Sequence, residues 1–373
     1  MKTIDRRLSI VLFAWLLFYS PCQATEVIKV GFVGGLTGRT SDLGTAGRNG
    51  VIYAVEEKNA SGGLLGRPVE LIVKDDRQDP EAAVQADRQL IDEGVIAIIG
   101  HMTSAMSLAA KPLIDEKKMF MISPTSSTTA LSGQKDFFFR VVESVADEAR
   151  TLAEFAHQKQ AVKSLAVIYD LANAVYTEDY YASFKKRFEQ LGGRISITQT
   201  FTSGKSPPFS EIIKKSRDSQ PGGLFILANA SDTAMFCQQA AKIGWKIPRI
   251  VAGWAMTEDL PALGGKSVEG VRALVTYDAE SQEPKSREFV RLFRERFGKK
   301  PGFPAVCSYS AARVLFDAYE RAGGEKAKLR ETIVNQRTFM GLQGEIVFDE
   351  YGDAHNQKYL TTILNGQFKQ IVR

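Results

Sequence analysis

Short apolar runs separated by longer amphipathic stretches recur down the chain. VIKVGFV (27–33), VELIVKDD (Val69 to Asp76), VIAIIGHMTSAM (Val95 to Met106) and MFMISPTSS (Met119 to Ser127) form a first set. They are too short and too continuous for surface helices, so they read as buried parallel strands. Between them lie helical patterns: one with Val51, Ile52, Ala54 and Val55 on its inner face, one from Pro80 to Glu93, and one from about Ala105 to Lys117. Asp79 before Pro80 is an N-cap followed by proline at the first helical position. Pro112 is expected to kink the third helix or restart its last turn.

After Phe139 the alternation begins again. Helix Val145 to Gln158 leads to strand Ser164 to Asp170, helix Glu178 to Leu191 and strand Ile195 to Phe201. Helix Phe209 to Ser219, strand Gly223 to Asn229, helix Asp232 to Ile243 and strand Arg249 to Trp254 follow. This predicts a second parallel α/β layer of similar size. A strand at Gly270 to Thr276 precedes helices Lys285 to Arg296, about Ala305 to Ala322 and about Glu325 to Gln336. Strands Gly344 to Asp349, Lys358 to Leu364 and Gln367 to Val372 close the chain, with Asn365-Gly366 as a two-residue hairpin turn. Helices after the Gly270 strand would cover the first layer if the chain crosses back.

A length of 373 residues fits two domains better than one core. The start differs from the rest. Lys2, Arg6 and Arg7 precede an apolar run from Leu8 to Tyr19, and Cys22-Gln23-Ala24 offers small residues for cleavage, the pattern of a secretory signal over residues 1–24. About twelve apolar residues fall short of the roughly twenty a membrane span needs. Lipid attachment through Cys22 is disfavoured by Pro21, a poor lipobox residue. Removing the signal takes three basic residues and one acid, lowering the formal charge from +5 to +3. That balance, without a basic run interleaved with aromatics, gives no reason to expect nucleic acid as a partner. Cys237 and Cys307 remain; a disulfide is possible after export, and two buried apolar cysteines fit equally well.

The candidate chemistry sits at strand exits. The Val95 and Met119 runs end side by side, and ligands of open α/β sheets bind at the carboxyl ends of strands. Thr103, Ser104, Thr125, Ser126 and Ser127 would gather hydroxyls and backbone N–H groups there, a cradle for a small anion such as a carboxylate. The glycine-rich turn GGLTGRTSDLGTAG lacks the Gly-Lys-Ser/Thr of a phosphate loop, so it reads as a flexible loop that reaches a ligand through Leu36, Thr37 or Leu43. Asp75, Asp76 and Asp79 have structural uses, because adjacent acids at a strand end point to opposite faces. No enzyme is expected. The three histidines, His101, His157 and His355, offer no metal pair, there is no G-x-S-x-G elbow, and His101 reads as a structural histidine with a fixed tautomer. Neither a metal nor a cofactor is implied.

IKVGFVGGLTG, NASGGLLGRPVELIVKDDRQDP, IIGHMTSA, MISPTSS, IYDLANAVY, QQAAKIGW and GEIVFDEYGD occur in order over the mature chain. In these segments the sequence resembles the periplasmic solute-binding proteins of branched-chain amino acid ABC importers, the leucine/isoleucine/valine-binding family. The resemblance implies a two-lobed type I α/β fold of the Venus flytrap kind, with parallel sheets flanked by helices and three hinge crossovers. It places residues 25–142 with about 277–350 in the first lobe and 143–276 with about 351–373 in the second. It also implies a monomer in the periplasm that holds its ligand in the cleft and presents it to a membrane permease; a ligand-sensing receptor using the same cleft is the alternative. Residue by residue it puts Ser104, Ser127 and the backbone near Thr125 on the ligand's carboxylate. Met102, Thr103 and Ser126 line the first-lobe wall, Tyr176 closes from the second, and Leu43 and Asn229 join the candidate contacts.

One position departs from the family. Where amino-acid binders carry an acid for the ligand's ammonium, after the strand from Arg249, this chain has Trp254. An unpaired buried ammonium costs on the order of several kcal/mol, and a tryptophan face returns only about 0.5 to 2 kcal/mol. An amine-free carboxylate with an apolar or aromatic body stacked on Trp254 is therefore expected, with a hydrophobic amino acid next, unless Glu258, Asp278 or another acid reaches in.

Overall fold

The computed structural model describes residues 26–38 and 41–371. The export signal read above lies outside them. The first layer runs β1 (Ile28–Gly34), α1 (Ser41–Ala60), β2 (Val69–Asp75), α2 (Pro80–Asp92), β3 (Ile98–Ile99), α3 (Ser104–Lys117), β4 (Met121–Ser123) and β5 (Phe138–Arg140). Its strands are all parallel in the order β2-β1-β3-β4-β5. The second layer runs α4 (Val145–Glu154), β6 (Ser164–Asp170), α5 (Ala174–Gln190), β7 (Arg194–Phe201), α6 (Phe209–Asp218), β8 (Gly223–Leu227), α7 (Ala230–Lys242), β9 (Arg249–Val251), α8 (Asp259–Gly264) and β10 (Arg272–Val275).

The chain then returns to the first layer with α9 (Pro284–Phe297), α10 (Phe303–Arg321) and α11 (Leu329–Gln336). Tyr53 of α1 meets Phe289 and Phe293 of α9 and Tyr309 of α10 at ring-centroid distances of 5.3, 6.3 and 5.9 Å. A small antiparallel sheet of β11 (Thr338–Met340), β12 (Glu345–Phe348) and β13 (Ala354–His355) follows. Last, β14 (Tyr359–Leu364) and β15 (Gln367–Gln370) add antiparallel strands to β10, giving the order β15-β14-β10-β9-β8-β6-β7. The chain thus passes between the layers three times, near 141–144, 276–283 and 356–358.

Local chemistry explains most boundaries. Asp79 caps α2 by accepting from the Ala82 N–H at 2.9 Å, with Pro80 at the first helical position. Asn365 and Gly366 both take positive φ, 53° and 69°, as the two-residue turn requires. The helix α3 is continuous through Pro112 and does not restart there. The glycine-rich segment is helical from Ser41, earlier than its composition suggests. Gly44, Gly47 and Gly50, three residues apart, let α1 lie directly on the Gly35 carbonyl, the Met102 side chain and the Ala305 carbonyl, where a Cβ would collide. Cys237 and Cys307 are free and buried, and burial pushes each thiol up to about 11. Among the described residues no helix is long and apolar enough to cross a membrane.

Candidate functional site

The exits of β3 and β4 do lie side by side, and a buried scaffold fixes their shape. His101 is wholly buried between two carboxylates, Nδ1 at 2.8 Å from Asp76 and Nε2 at 3.1 Å from Asp87. Burial alone would lower its pKa, but the charges and hydrogen bonds of Asp87 and Asp76 outweigh it and raise the imidazole to about 10. Its backbone carbonyl accepts the Ser123 hydroxyl at 2.7 Å and the Ser126 hydroxyl at 3.2 Å. Arg140, also buried, donates to the Thr128 carbonyl at 3.0 Å and pairs with Asp353 at 2.8 Å. The loop after β4 is therefore held from both sides.

Beside this loop lies a cavity between the lobes that opens to solvent. Its first wall carries Leu43, Met102, Thr103, Ser104, Thr125 and Ser127, and its second Glu148, Asn173, Tyr176, Gly253 and Trp254. The crossovers supply the floor: Val142 and Glu143 from one, Thr276 from the next, Lys358 from the last. The lobes also touch beyond the cavity. Thr257 donates to Asp42 at 2.6 Å, the Ala105 N–H to Asn173 Oδ1 at 3.2 Å, and Asp179 accepts from the Thr128 hydroxyl and from the Thr129 N–H and hydroxyl at 2.6 to 2.9 Å.

The hydroxyls of the first wall differ in what remains open to a ligand. Ser104 Oγ accepts the Ser127 and Thr128 N–H groups at 3.2 and 3.3 Å, so its own proton is left to donate outward. Thr125 spends its hydroxyl on the Met102 carbonyl at 2.5 Å. Among the described residues Ser127 Oγ has no hydrogen-bond partner. Thr103 is the N-cap residue of α3 and makes no side-chain capping bond, so the amino end of that helix adds its partial positive charge to the same wall. Ser126 is turned away: its hydroxyl meets Ser107 and the His101 carbonyl inside the loop, and it does not line the cavity. Asn229 does not line it either, because its side chain caps α7 by accepting from the Asp232 N–H and donates to Ser203.

On the second wall Trp254 sits in a tight turn just after β9, with its ring edge-on to Tyr176 at 5.8 Å. Neither Glu258 nor Asp278 reaches the cavity. Glu148 does. It lies on α4, accepts the Tyr180 hydroxyl at 3.1 Å, and touches Gly253 next to Trp254. It keeps some accessible surface, yet protein crowds it on its other sides. That crowding raises its pKa above the ordinary carboxylate value; Lys358, Tyr180 and the Gly253 N–H oppose the rise and Glu143 adds to it. Burial, and then Glu148 itself, holds the Tyr176 and Tyr180 phenols neutral. Sequence did carry a signal for Glu148. It stands three residues after Val145 and four before Leu152, on the buried stripe of α4. Lys358 and Glu143, 2.8 Å apart, have no such local signature.

A hydroxyl cradle on one wall, aromatic rings on the other and a floor made of crossovers give the two-lobed architecture of a binding protein, with a cavity between the lobes. The chain matches the family model described as periplasmic binding protein over residues 27–367, and it belongs to that family, in the branched-chain amino acid importer type. It is 24% identical to a leucine-, isoleucine-, valine-, threonine- and alanine-binding protein of Pseudomonas aeruginosa, over 95% of each chain. Among solved structures it resembles a leucine-binding protein of Thermotoga maritima, with 30% identity, TM-score 0.85, and 92% of this chain and 98% of that one covered. It also resembles an ABC transporter solute-binding protein of Rhodopseudomonas palustris in complex with 3,4-dihydroxybenzoic acid, with 25% identity, TM-score 0.83, and coverage of 92% and 96%. The homologues are solute-binding proteins, not enzymes.

Proposed function

We propose that this chain is the periplasmic substrate-binding component of an ABC importer, exported through its N-terminal signal and acting as a monomer. It closes on a small solute with one carboxylate and an apolar or aromatic body, and delivers it to a membrane permease. The observation that carries this reading is the pairing of walls. Open hydroxyls and the amino end of α3 face Trp254 and Tyr176 across one cavity. The carboxylate docks on the first-lobe cradle, the body fills the space against Leu43, Trp254 and Tyr176, and the crossovers flex to bring the walls together.

The relatives support this class. Leucine and 3,4-dihydroxybenzoate share a carboxylate on a small body and differ in the amine. The preference for amine-free acids rested on there being no acid beside Trp254. Glu148 stands there, so the proposed class spans hydrophobic amino acids as well.

A thermal-shift panel of small acids, each beside its methyl ester, tests the carboxylate requirement. A ligand that binds only the folded state raises the midpoint. At least one acid should raise it while its ester does not; equal shifts from acid and ester, or none from any acid, would refute the reading.

A further inference from the structure

Away from the cavity the lobes also meet along a seam lined with acids. Asp42, in the first turn of α1, accepts the Thr257 hydroxyl at 2.6 Å, a bond from the second lobe to the first. The next two residues after Thr257 are Glu258 and Asp259, at the start of α8. Glu258 lies against Gly302 of the first lobe: a Cβ built on that glycine would sit 3.8 Å from Glu258 Cγ and 3.9 Å from its backbone nitrogen. Gly302 is the N-cap residue of α10 and has no side chain to cap with, so a second-lobe acid packs beside the bare amino end of a first-lobe helix. Among the described residues no salt bridge neutralises Asp42, Glu258 or Asp259. Lys300 acts on Glu258 from the loop before α10, and the Asp259 charge acts on both other acids. None of the three lines the cavity.

We propose that this seam makes lobe closure proton-coupled: Asp42, Glu258 and Asp259 are packed together only when the lobes meet, so acid favours the closed form and alkali the open one. This rests on the hinged cleft proposed above and adds a regulation that the cavity does not supply. When the lobes part, water reaches the seam and Glu258 and Asp42 ionise as ordinary carboxyls. In the closed form burial raises Glu258 from its ordinary 4.5 to about 7, with Lys300 opposing and Asp259 adding. Burial likewise raises Asp42; the Thr257 hydroxyl and the Leu43 N–H oppose, and Asp259 adds. Tyr277, from the second crossover, also faces Glu258, and burial holds its phenol neutral. The sign follows. Below pH 4.5 Glu258 is protonated in both forms and closure carries no charge penalty. Above about pH 7 it is ionised in both, and closure must bury the charge. The ratio of closed to open molecules therefore falls as pH rises through that window, whatever solute is present.

Energy transfer between dyes on Gln89→Cys of the first lobe and Lys186→Cys of the second measures closure in the full mature chain without any solute. Both positions are exposed, and Cys237 and Cys307 are buried. From pH 8 to pH 6 the closed-to-open ratio should rise about tenfold, the span of a single group titrating near 7. Glu258→Gln keeps the size and the contact with Gly302 but cannot ionise. It should abolish the rise and be as closed at pH 8 as the parent is at pH 6. Asp259→Asn removes a like charge and should move the midpoint to lower pH. A melting curve for each variant checks folding. A ratio that does not change with pH, or that changes as much in Glu258→Gln, would overturn the inference. So would a glutamine variant less closed than the parent at every pH, since that is the mark of mere packing. Leucine and 3,4-dihydroxybenzoate are then added as probes: if neither binds while the pH response is intact, the seam stands and the reading of the solute class falls.

Discussion

The two walls of the cavity solve different problems with different materials. The first-lobe wall is made of hydroxyls and N–H groups at strand and helix ends, and buried ions behind it hold those groups in place: His101 between Asp76 and Asp87, and Arg140 on the Thr128 carbonyl. The second-lobe wall is made of side chains, Glu148 on α4, Tyr176 on α5 and Trp254 after β9, held by packing on one another and on Tyr180 and not by buried ions. Neutral, rigid donors suit a carboxylate, which every ligand of the class shares. Packed aromatic rings and a single acid suit the part of the proposed ligand that varies. In the proposed function, anchoring and selection fall to opposite lobes, and closure would read both at once.

The comparison breaks most visibly if the buried support is removed. His101→Leu leaves two buried carboxylates uncompensated and should lower stability by about 3 to 5 kcal/mol, measured by urea unfolding. The pH dependence has a sign as well. His101 is raised from its ordinary 6.5 to about 10, so the folded state binds the extra proton and its contribution is complete below pH 6.5. That contribution fades as pH rises towards about 10, and the difference between wild-type and variant unfolding curves should shrink over this window. A constant difference across it would mean that His101 is neutral in the fold.

Next in size are two substitutions that should separate the walls. Ser104→Ala removes the acceptor for the Ser127 and Thr128 N–H groups together with one donor to the ligand. Affinity should fall about a hundredfold, and by the same factor for every carboxylate tested. Trp254→Ala should cost about tenfold for ring-bearing ligands and less for short aliphatic ones. Uniform losses in the tryptophan variant, or ligand-dependent losses in the serine variant, would erase the division between anchor and selector.

Much of the anchoring wall was legible in the sequence, and less of the selecting wall. Buried parallel strands announce themselves as continuous apolar runs, so the ends of β3 and β4 could be placed together with the hydroxyls after them. Which hydroxyls face the ligand could not be read, because consecutive loop residues alternate direction: Ser127 opens to the cavity while Ser126 closes on the His101 carbonyl. Asn229 illustrates the same limit, a strand-end amide consumed by a helix cap. The strand β5 went unread because three residues ending in Arg140 look like a turn until Asp353 arrives from far along the chain. Trp254 and Tyr176 were legible through family resemblance. Glu148 was marked only by its place on the buried stripe of α4, a signal outweighed by the usual reading of an acid in the first turns of a helix, which faces water and favours the helix dipole. Lys358 and Glu143 meet only because two crossovers run side by side, which depends on the whole topology.

The smallest effect concerns the join between the walls. Asp179 of α5 accepts three hydrogen bonds from Thr128 and Thr129, the residues that directly follow the cradle, so it ties the selecting lobe to the anchoring one without lining the cavity. These bonds exist only when the lobes are together, and so they favour closure whatever the ligand. They are also partly solvated, and water replaces them when the cleft opens, which limits their net worth. Asp179→Ala should therefore weaken all ligands by about threefold. The loss should appear chiefly as faster dissociation, because the bonds form after the solute is already held between the walls. Stopped-flow tryptophan fluorescence can follow this. An unchanged dissociation rate would mean that the cradle and the rings alone hold the lobes closed.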